Sequence, residues 1–487
     1  MNVIQAAIER FVQGSAQPVL SEPGEELMEV RNGNLSLEER NGAVMLQAWD
    51  GRRNFVRRVT GIESESKARL NLRTQRFGKK AGTLAFVDLK RVDARTVGRQ
   101  ASRCEFRETF RRFLLREFPD STIETLSTGQ SLEQSLSSVY PRALIGRGSS
   151  WHAAIGAPPD APVDGVLTFG LIWLDYLRRR EPHRTVQGLM LFLPAGQEKT
   201  TCRRLRFLNP ACASFRVFGY AEDETTVELD RADAGNLDTR LEPCQRSVAQ
   251  ADDSATRLAS IGGVEAIHLG NGSTSFRVRG LEFARCGNGS PGNRDWLACF
   301  EEVRPVSAAR LGELESVARE LARVRSPDSL ERRHPLFLRN PESWMESQVR
   351  SHIEDIDPGL RPNPVYGQVP AFAGGDRTVL DLLAVDRGGR LAIIELKASE
   401  DIHLPLQALD YWMRVKWHLD CKEFSSNGYF PGVALANQPP RLLLVAPALG
   451  FHPSNEVVLR FFSPEVPVQR LGLGVEWQRH LRLMFRK

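Results

Sequence analysis

The sequence predicts a multidomain α+β protein: an N-terminal antiparallel β-rich domain over residues 1–92, a mixed α/β middle region over 93–330, and a compact C-terminal domain of order αβββαβ over 335–487. Three observations lead there. A chain of 487 residues is too long for one compact core. Hairpin-type turn signals recur at short spacing in the first ninety residues. Beyond residue 335, apolar periodicities near 3.6 and near 2 alternate in the manner of packed helices and strands.

Composition narrows the class. Hydrophobic content of 41% and charged content of 26% fit an ordinary globular chain and exclude fibrous or low-complexity types. No run approaches ~20 consecutive apolar residues, and Met1-Asn2-Val3-Ile4-Gln5 lacks the blocks of a signal peptide, so the expectation is no membrane and a cytoplasmic location. The seven cysteines are scattered without a Cys-x-x-Cys pair, which argues against a disulfide framework and a structural zinc site. The formal charge of +5 is uneven: residues 341–487 hold 16 basic and 17 acidic side chains, a net of −1, which leaves +6 upstream. A polyanionic partner such as DNA would draw its phosphate attraction from that upstream part, although a solvated surface explains so small an excess equally well.

Taken in order, the chain opens with an amphipathic helical pattern over residues 4–12. Short alternating runs follow from Glu26 to Leu89, punctuated by Asn32-Gly33, Asn41-Gly42, Asp50-Gly51 and Gly82. Arg52, Arg53, Arg57, Arg58, Arg73, Arg76, Lys79 and Lys80, with Trp49, Phe55 and Phe77 between them, could grip nucleic acid; a solvated sheet face over an aromatic core is the preferred reading. Residues 95–145 read as helical through Phe106, Phe110, Phe113, Leu114 and Phe118, with a second helix near Leu132 to Val139. Gly146-Arg147-Gly148-Ser149-Ser150 lacks the Gly-Lys-Ser/Thr of a phosphate-binding loop and reads as a plain loop. A helix from Val166 to Arg180 ends in three arginines that suit the negative end of its dipole. Strands over 188–193 and 215–220, a polar connector over 232–258, a strand pair over 266–269 and 275–283 joined through residues 270–273, and a helix over 307–324 complete the middle. No internal repeat or catalytic constellation is apparent there.

The last third carries the chemistry. A helix near Pro341 sets Met345, Val349 and Ile353 in an apolar stripe with Glu342 and Glu346 on its margin. A strand over 365–372 precedes two apolar runs, 379–385 and 391–398, joined by the tight polar link Asp386-Arg387-Gly388-Gly389-Arg390. Alternation puts Glu395 and Lys397 on one side of the second strand, and Asp381 on the neighbouring strand can share a cation with them. A helix over 404–419 carries Gln407 and Tyr411 on one face, a buried strand follows at 441–446, and a helix and edge strands extend to 485.

Asp381, then Glu395-x-Lys397, then Gln407-x-x-x-Tyr411, with an upstream helical glutamate and this order of elements, resembles the PD-(D/E)XK nuclease superfamily of restriction-endonuclease-like and RecB-type domains. The resemblance covers about residues 340–450; the motif's proline is replaced by Leu380. It implies a Mg²⁺- or Mn²⁺-dependent deoxyribonuclease serving DNA repair, restriction or defence in a bacterial-style setting. Asp381 and Glu395 are hard oxygen donors suited to such an ion, and the resemblance adds the Leu396 carbonyl. Glu346, preferred to Glu342, completes the set or binds a second ion. Lys397 activates or orients the attacking water, or stays charged and binds the scissile phosphate; the resemblance has Gln407 and Tyr411 position Lys397 and the DNA backbone. A homodimer is a candidate assembly, since one site cuts one strand at a time. The alternatives are a non-catalytic nucleic-acid-binding scaffold that kept the fold and an RNA-directed phosphodiesterase. His403 and His418 are more simply read as solvated or hydrogen-bonded histidines than as ligands, and Arg414 and Lys416 either touch phosphates or are solvated.

Overall fold

The computed structural model describes residues 3–487 apart from 22–27, 31–32, 41–42, 50–53, 68, 76–80, 89–93, 130, 132–133, 231–238, 245–252, 269–273, 287–295, 300–301, 306–307 and 374–375. The chain is multidomain α+β and divides into two compact units, Met1–Arg116 with Asp160–Pro162, and Glu117–Pro159 with Val163–Lys487. Among the described residues no helix is long and apolar enough to cross a membrane.

In the first unit, helix α1 (Val3–Gly14) buries Ile4, Ala7, Ile8, Phe11 and Val12, one face at three- and four-residue spacing. It packs on an antiparallel sheet of β1 (Pro18–Ser21), β2 (Met28–Glu29), β3 (Leu35–Arg40), β4 (Ala43–Trp49), β5 (Asn54–Glu65), β6 (Arg69–Gln75) and β7 (Ala81–Asp88), ordered β2-β1-β7-β6-β5-β4-β3. Alternate residues Val44, Leu46 and Ala48, then Leu70 and Leu72, then Leu84 and Phe86, fill the core. Gly82 lies inside β7 opposite Thr74 rather than in a turn. Of the basic set, Arg57, Arg58 and Arg73 lie on β5 and β6; the side chains of Arg52, Arg53, Phe55, Arg76, Phe77, Lys79 and Lys80, and the turns at 41–42 and 50–51, lie outside the described residues. Helix α2 (Ala94–Glu117) buries Phe106, Phe110, Phe113 and Leu114 as their spacing predicts.

The second unit begins with β8 (Thr122–Ser127), β9 (Arg142–Arg147), β10 (Ser150–Gly156), α3 (Val166–Arg180), β11 (Thr185–Pro194), α4 (Lys199–Arg206), β12 (Ser214–Tyr220) and β13 (Thr226–Leu229). Its sheet runs β8-β9-β10 antiparallel, β10-β11-β12 parallel, with β13 an antiparallel edge. The expected helix at 132–139 is absent among the described residues: Ser131 and Leu136 exchange backbone hydrogen bonds across a short loop. The loop expected over 146–150 shrinks to a two-residue β9-β10 turn at Gly148-Ser149, with Gly148 at φ +58°, since Gly146 and Arg147 pair with Trp151 and Ser150 in the ladder. The arginines ending α3 do more than complement its dipole: Arg178 donates to the carbonyls of Val186 and Cys212, each at 2.9 Å, and ties α3 to the strands below.

The polar connector is only partly irregular, since β14 (Thr239–Leu241) and α5 (Asp253–Ala259) form within it. A small sheet of β15 (Val264–His268), β16 (Thr274–Val278) and β17 (Leu281–Cys286) and a ribbon of β18 (Trp296–Cys299) and β19 (Glu302–Pro305) precede α6 (Ala308–Val324). The strand read as continuous over 275–283 breaks at Arg279-Gly280, both at positive φ. Gly280 is needed there, because a Cβ would stand 1.8 Å from the Ser343 carbonyl.

The remainder comprises α7 (Pro335–Leu338), α8 (Pro341–Ser351), α9 (Ile353–Ile356), β20 (Tyr366–Ala373), β21 (Asp376–Val385), β22 (Leu391–Leu396), α10 (Leu404–Asp420), α11 (Glu423–Ser426), β23 (Arg441–Pro447), α12 (Pro453–Leu459), β24 (Val468–Leu473) and β25 (Leu483–Arg486). The sheet order is β14-β20-β21-β22-β23-β24-β25. Leu382, Ala384, Ala392, Ile394 and Leu396 face a core with Trp344, Met345, Val349 and Ile353 of α8 and α9. The alternate residues Leu383, Val385, Leu391 and Ile393 are also fully buried, and α10 packs against β22 and β23. Strand for strand, β20 to β25 repeat the order and sense of β8 to β13: three antiparallel strands, a crossover helix, a parallel strand, a second helix, a parallel strand and an antiparallel edge. The chain therefore holds a repeat that its sequence conceals.

Candidate active site

The β21-β22 hairpin forms where the polar link predicts it. Asp386 Oδ1 accepts from the N–H of Gly388 at 2.8 Å and of Arg390 at 2.9 Å, and Gly389 supplies the positive φ. The register pairs Leu382 with Ile394; continued by one residue, it sets Asp381 opposite Glu395. Facing residues of an antiparallel pair lie ~5 Å apart at Cβ and share a face, so two carboxylates meet where apolar residues precede them on both strands.

The two differ in how they are held. Asp381 Oδ2 accepts the Leu396 N–H at 2.8 Å, which pins the carboxylate to β22. Glu395 is 3% exposed and its Oε2 has no hydrogen-bond partner among the described residues. Burial pushes the Asp381 carboxyl up to about 7, against the Leu396 N–H and Lys397, with Glu346 and Glu342 adding to the rise. Burial and then Asp381 push Glu395 well above the usual carboxylate range. Lys397 leaves the end of β22 two residues on, its Nζ 3.7 Å from Asp401 Oδ2. Burial works against that ammonium, but Glu342, Glu395, Asp401 and Asp381 outweigh it and hold Lys397 above its ordinary value. Lys397 is thus a charged lysine, suited to binding phosphate or orienting water.

Helix α10 covers this edge. Gln407 and Tyr411 are half-buried on it. Burial, then the charges of Glu395 and Asp381, raise the Tyr411 phenol above its ordinary value, so the ring stands within electrostatic reach of both acids. Arg414 stacks at 5.9 Å from that ring, and its Nη1 is buried with no hydrogen-bond partner among the described residues. The helical acids separate in role. Glu342 acts on Asp381, Glu395 and Lys397. Glu346 acts on Asp381, lies 3.6 Å from Arg350 Nη1, and is the main carboxylate acting on buried Arg277. The histidines are hydrogen-bonded: His403 to Thr168 at 3.1 Å, and His418 to Thr239 at 3.0 Å and Glu423 at 2.5 Å. Lys416 pairs with Asp420 at 2.5 Å.

Asp401 is the site residue that sequence reasoning passed over. It follows Lys397 by four in a loop, and Asn455, fully buried, fixes that loop by donating to the Asp401 carbonyl at 2.9 Å. Its signal was the spacing from Lys397, which only a turn converts into proximity. Among the described residues no three His, Cys, Asp or Glu side chains converge closely enough to hold an ion by themselves. The oxygen set of Asp381, Glu395 and a neighbouring carbonyl still fits Mg²⁺ or Mn²⁺, because Mg²⁺ keeps several waters and takes only one or two carboxylates. The unsatisfied, buried Glu395 Oε2 is the atom that such an ion would complete.

No protein-family model matches this chain, and no curated protein matches it.

Proposed function

We propose that the chain is a metal-dependent nuclease that hydrolyses DNA phosphodiester bonds, with a restriction-endonuclease-like domain at its C-terminal end. The observation that carries this reading is the facing of Asp381 and Glu395, two carboxylates held up by burial, beside a charged Lys397. Burying two like charges together is costly unless a cation joins them. Asp381, Glu395 and the Leu396 carbonyl would hold Mg²⁺ or Mn²⁺, which supplies charge stabilisation to the pentavalent phosphate and acidity to a bound water. Of the chain's own groups, Lys397 orients the nucleophilic water or the scissile phosphate, Asp401 and Glu342 keep it charged, and the Leu396 N–H fixes the Asp381 carboxylate. Tyr411, Gln407 and Arg414 on α10 form the flank that would meet the phosphate backbone.

The second reading is a nucleic-acid-binding scaffold that kept the fold without cutting. One experiment separates them. The protein is incubated with linear, nicked, branched and single-stranded DNA, and with RNA, in Mg²⁺ or Mn²⁺, beside Lys397→Ala. The expected result is DNA cleavage that falls by at least ~10²-fold in the variant while its melting temperature stays within a few degrees. Binding without cutting, or cutting equal in both proteins, sinks the proposal, and cutting of RNA alone reassigns the substrate.

A further inference from the structure

The two repeated sheets can be aligned residue by residue through their ladders. The N–H at the end of β10, Ala157, donates to Phe192 at 2.9 Å; the N–H after β22, Lys397, donates to Val445 at 3.0 Å. Ala195 donates to Tyr220 at 2.8 Å, and Ala448 to Leu473 at 2.7 Å. Ile155 pairs with Arg142 across β9-β10 as Glu395 faces Asp381 across β21-β22. Arg142, Ile155 and Ala157 therefore stand at the positions of Asp381, Glu395 and Lys397. The exchange is complete in chemistry: a cation for an acid, a hydrocarbon for an acid, and a methyl for an amine. Arg142 fills its position rather than leaving it open, donating to the carbonyls of Ser137 and Gly129 and lying 5.3 Å over Trp173. Tyr176 lies within electrostatic reach of Arg142, as Tyr411 does of Asp381, and the run Leu174-Asp175-Tyr176 answers Leu409-Asp410-Tyr411.

The two copies also meet reciprocally. Leu205-Arg206-Phe207-Leu208-Asn209-Pro210, running out of the end of the first copy's second helix, matches Leu459-Arg460-Phe461-Phe462-Ser463-Pro464 in the other. Leu208 and Phe462 form an antiparallel bridge flanked by Asn209 N–H to Phe461 O and Ser463 N–H to Phe207 O, both 2.8 Å. Helix α3 packs on α12, and α10 on α4. Arg204 clamps Asp410 at 2.7 and 2.9 Å, and Arg460, which aligns with Arg206 rather than with Arg204, reaches the matching Asp175 at 3.9 Å. Exchange of equivalent contacts is the mark of an isologous, two-fold interface.

We infer that residues 122–229 are a second, non-cutting copy of the fold carrying Asp381, Glu395 and Lys397, joined to it as a pseudo-dimer within one chain, so that the molecule nicks a single strand of duplex DNA. The inference rests on the nuclease reading above. The strands of a duplex are antiparallel, so cutting both from one bound pose needs two sites related by a two-fold axis. Here the two-fold places Arg142, Ile155 and Ala157 where the second site would be.

The test is cleavage of supercoiled plasmid by the full chain in Mg²⁺, with Lys397→Ala as control and light scattering to fix the mass of the active species. Nicked circles should accumulate from a monomer, with the initial rate first order in chain, and linear DNA should arise only after the supercoiled form is consumed. Linear DNA formed directly from supercoiled DNA, or a rate second order in chain, overturns single-site nicking and leaves the nuclease reading standing. No conversion, or conversion equal in Lys397→Ala, overturns the nuclease reading and nicking with it.

Discussion

Asp381 stands under two opposing demands. The hairpin buries it, and the proposed metal chemistry requires it charged. Its carboxyl is held at about 7, above the ~3.9 of an exposed aspartate. A folded-state value raised in this way adds stability below the unfolded pKa, and that stability is lost as pH rises from ~4 through about 7. Asp381→Asn keeps an oxygen for the Leu396 N–H and has no proton to lose. In metal-free solution the variant should therefore melt higher than wild type at pH 8, by on the order of 1–3 kcal/mol in stability, and no higher at about pH 3.5, below the unfolded pKa. Thermal melts at the two pH values in chelator check this, and a variant less stable at pH 8 would show that the two carboxylates are not crowded. The trio Asp381, Glu395 and Lys397 was legible because strand alternation and a tight turn fix which side chains face one another. The divided roles of Glu342 and Glu346 were not, because they depend on the seating of α8 against Gly280, a contact between residues more than sixty positions apart.

At the scale of elements, the part that most directly serves the site is α10, and its seat lies outside the domain that carries it. Arg204 of α4 is 4% exposed at its side chain and makes a two-toothed pair with Asp410, the neighbour of Tyr411, while also donating to the Asp164 carbonyl at 2.8 Å. Removing one partner of a buried pair strands the other charge. Arg204→Met should cost ~3–5 kcal/mol, and Arg204→Met with Asp410→Leu should recover most of it, because the uncompensated carboxylate is gone. Denaturant melts of the two variants and of Asp410→Leu close the cycle; equal losses in the single and double variants would reduce the pair to surface decoration. Long periodic elements such as α3, α6 and α10 were readable from spacing alone. The three-residue β14 was not, since it forms only because β20 offers an unpaired edge to residues more than a hundred positions upstream.

At the scale of the molecule, the repeat escaped the sequence because the ladder fixes only the backbone pattern, and any apolar residue of suitable size satisfies a buried strand position. Identity survived where something more specific was asked: in Leu-Asp-Tyr, where the aspartate meets an arginine of the other copy, and in Leu-Arg-Phe, where the backbone crosses the two-fold. That distribution carries a consequence for folding. Opening β8 to β13 would break the paired hydrogen bonds at Asn209 and Ser463, free Phe207 from its edge-on contact 5.1 Å from Trp412, and leave Asp410 without Arg204. Opening β20 to β25 would strip the same contacts from the other side. Each copy thus loses an interface that the other cannot replace with water, and the two should open as one cooperative unit. Native-state hydrogen exchange followed by mass spectrometry across a denaturant series reads this directly: amides of β11 and β23 should converge on one opening free energy with one denaturant slope, and Arg204→Met should lower both together. Release of β11 at lower denaturant than β23, with β23 unmoved by the substitution, would instead describe two domains that merely touch.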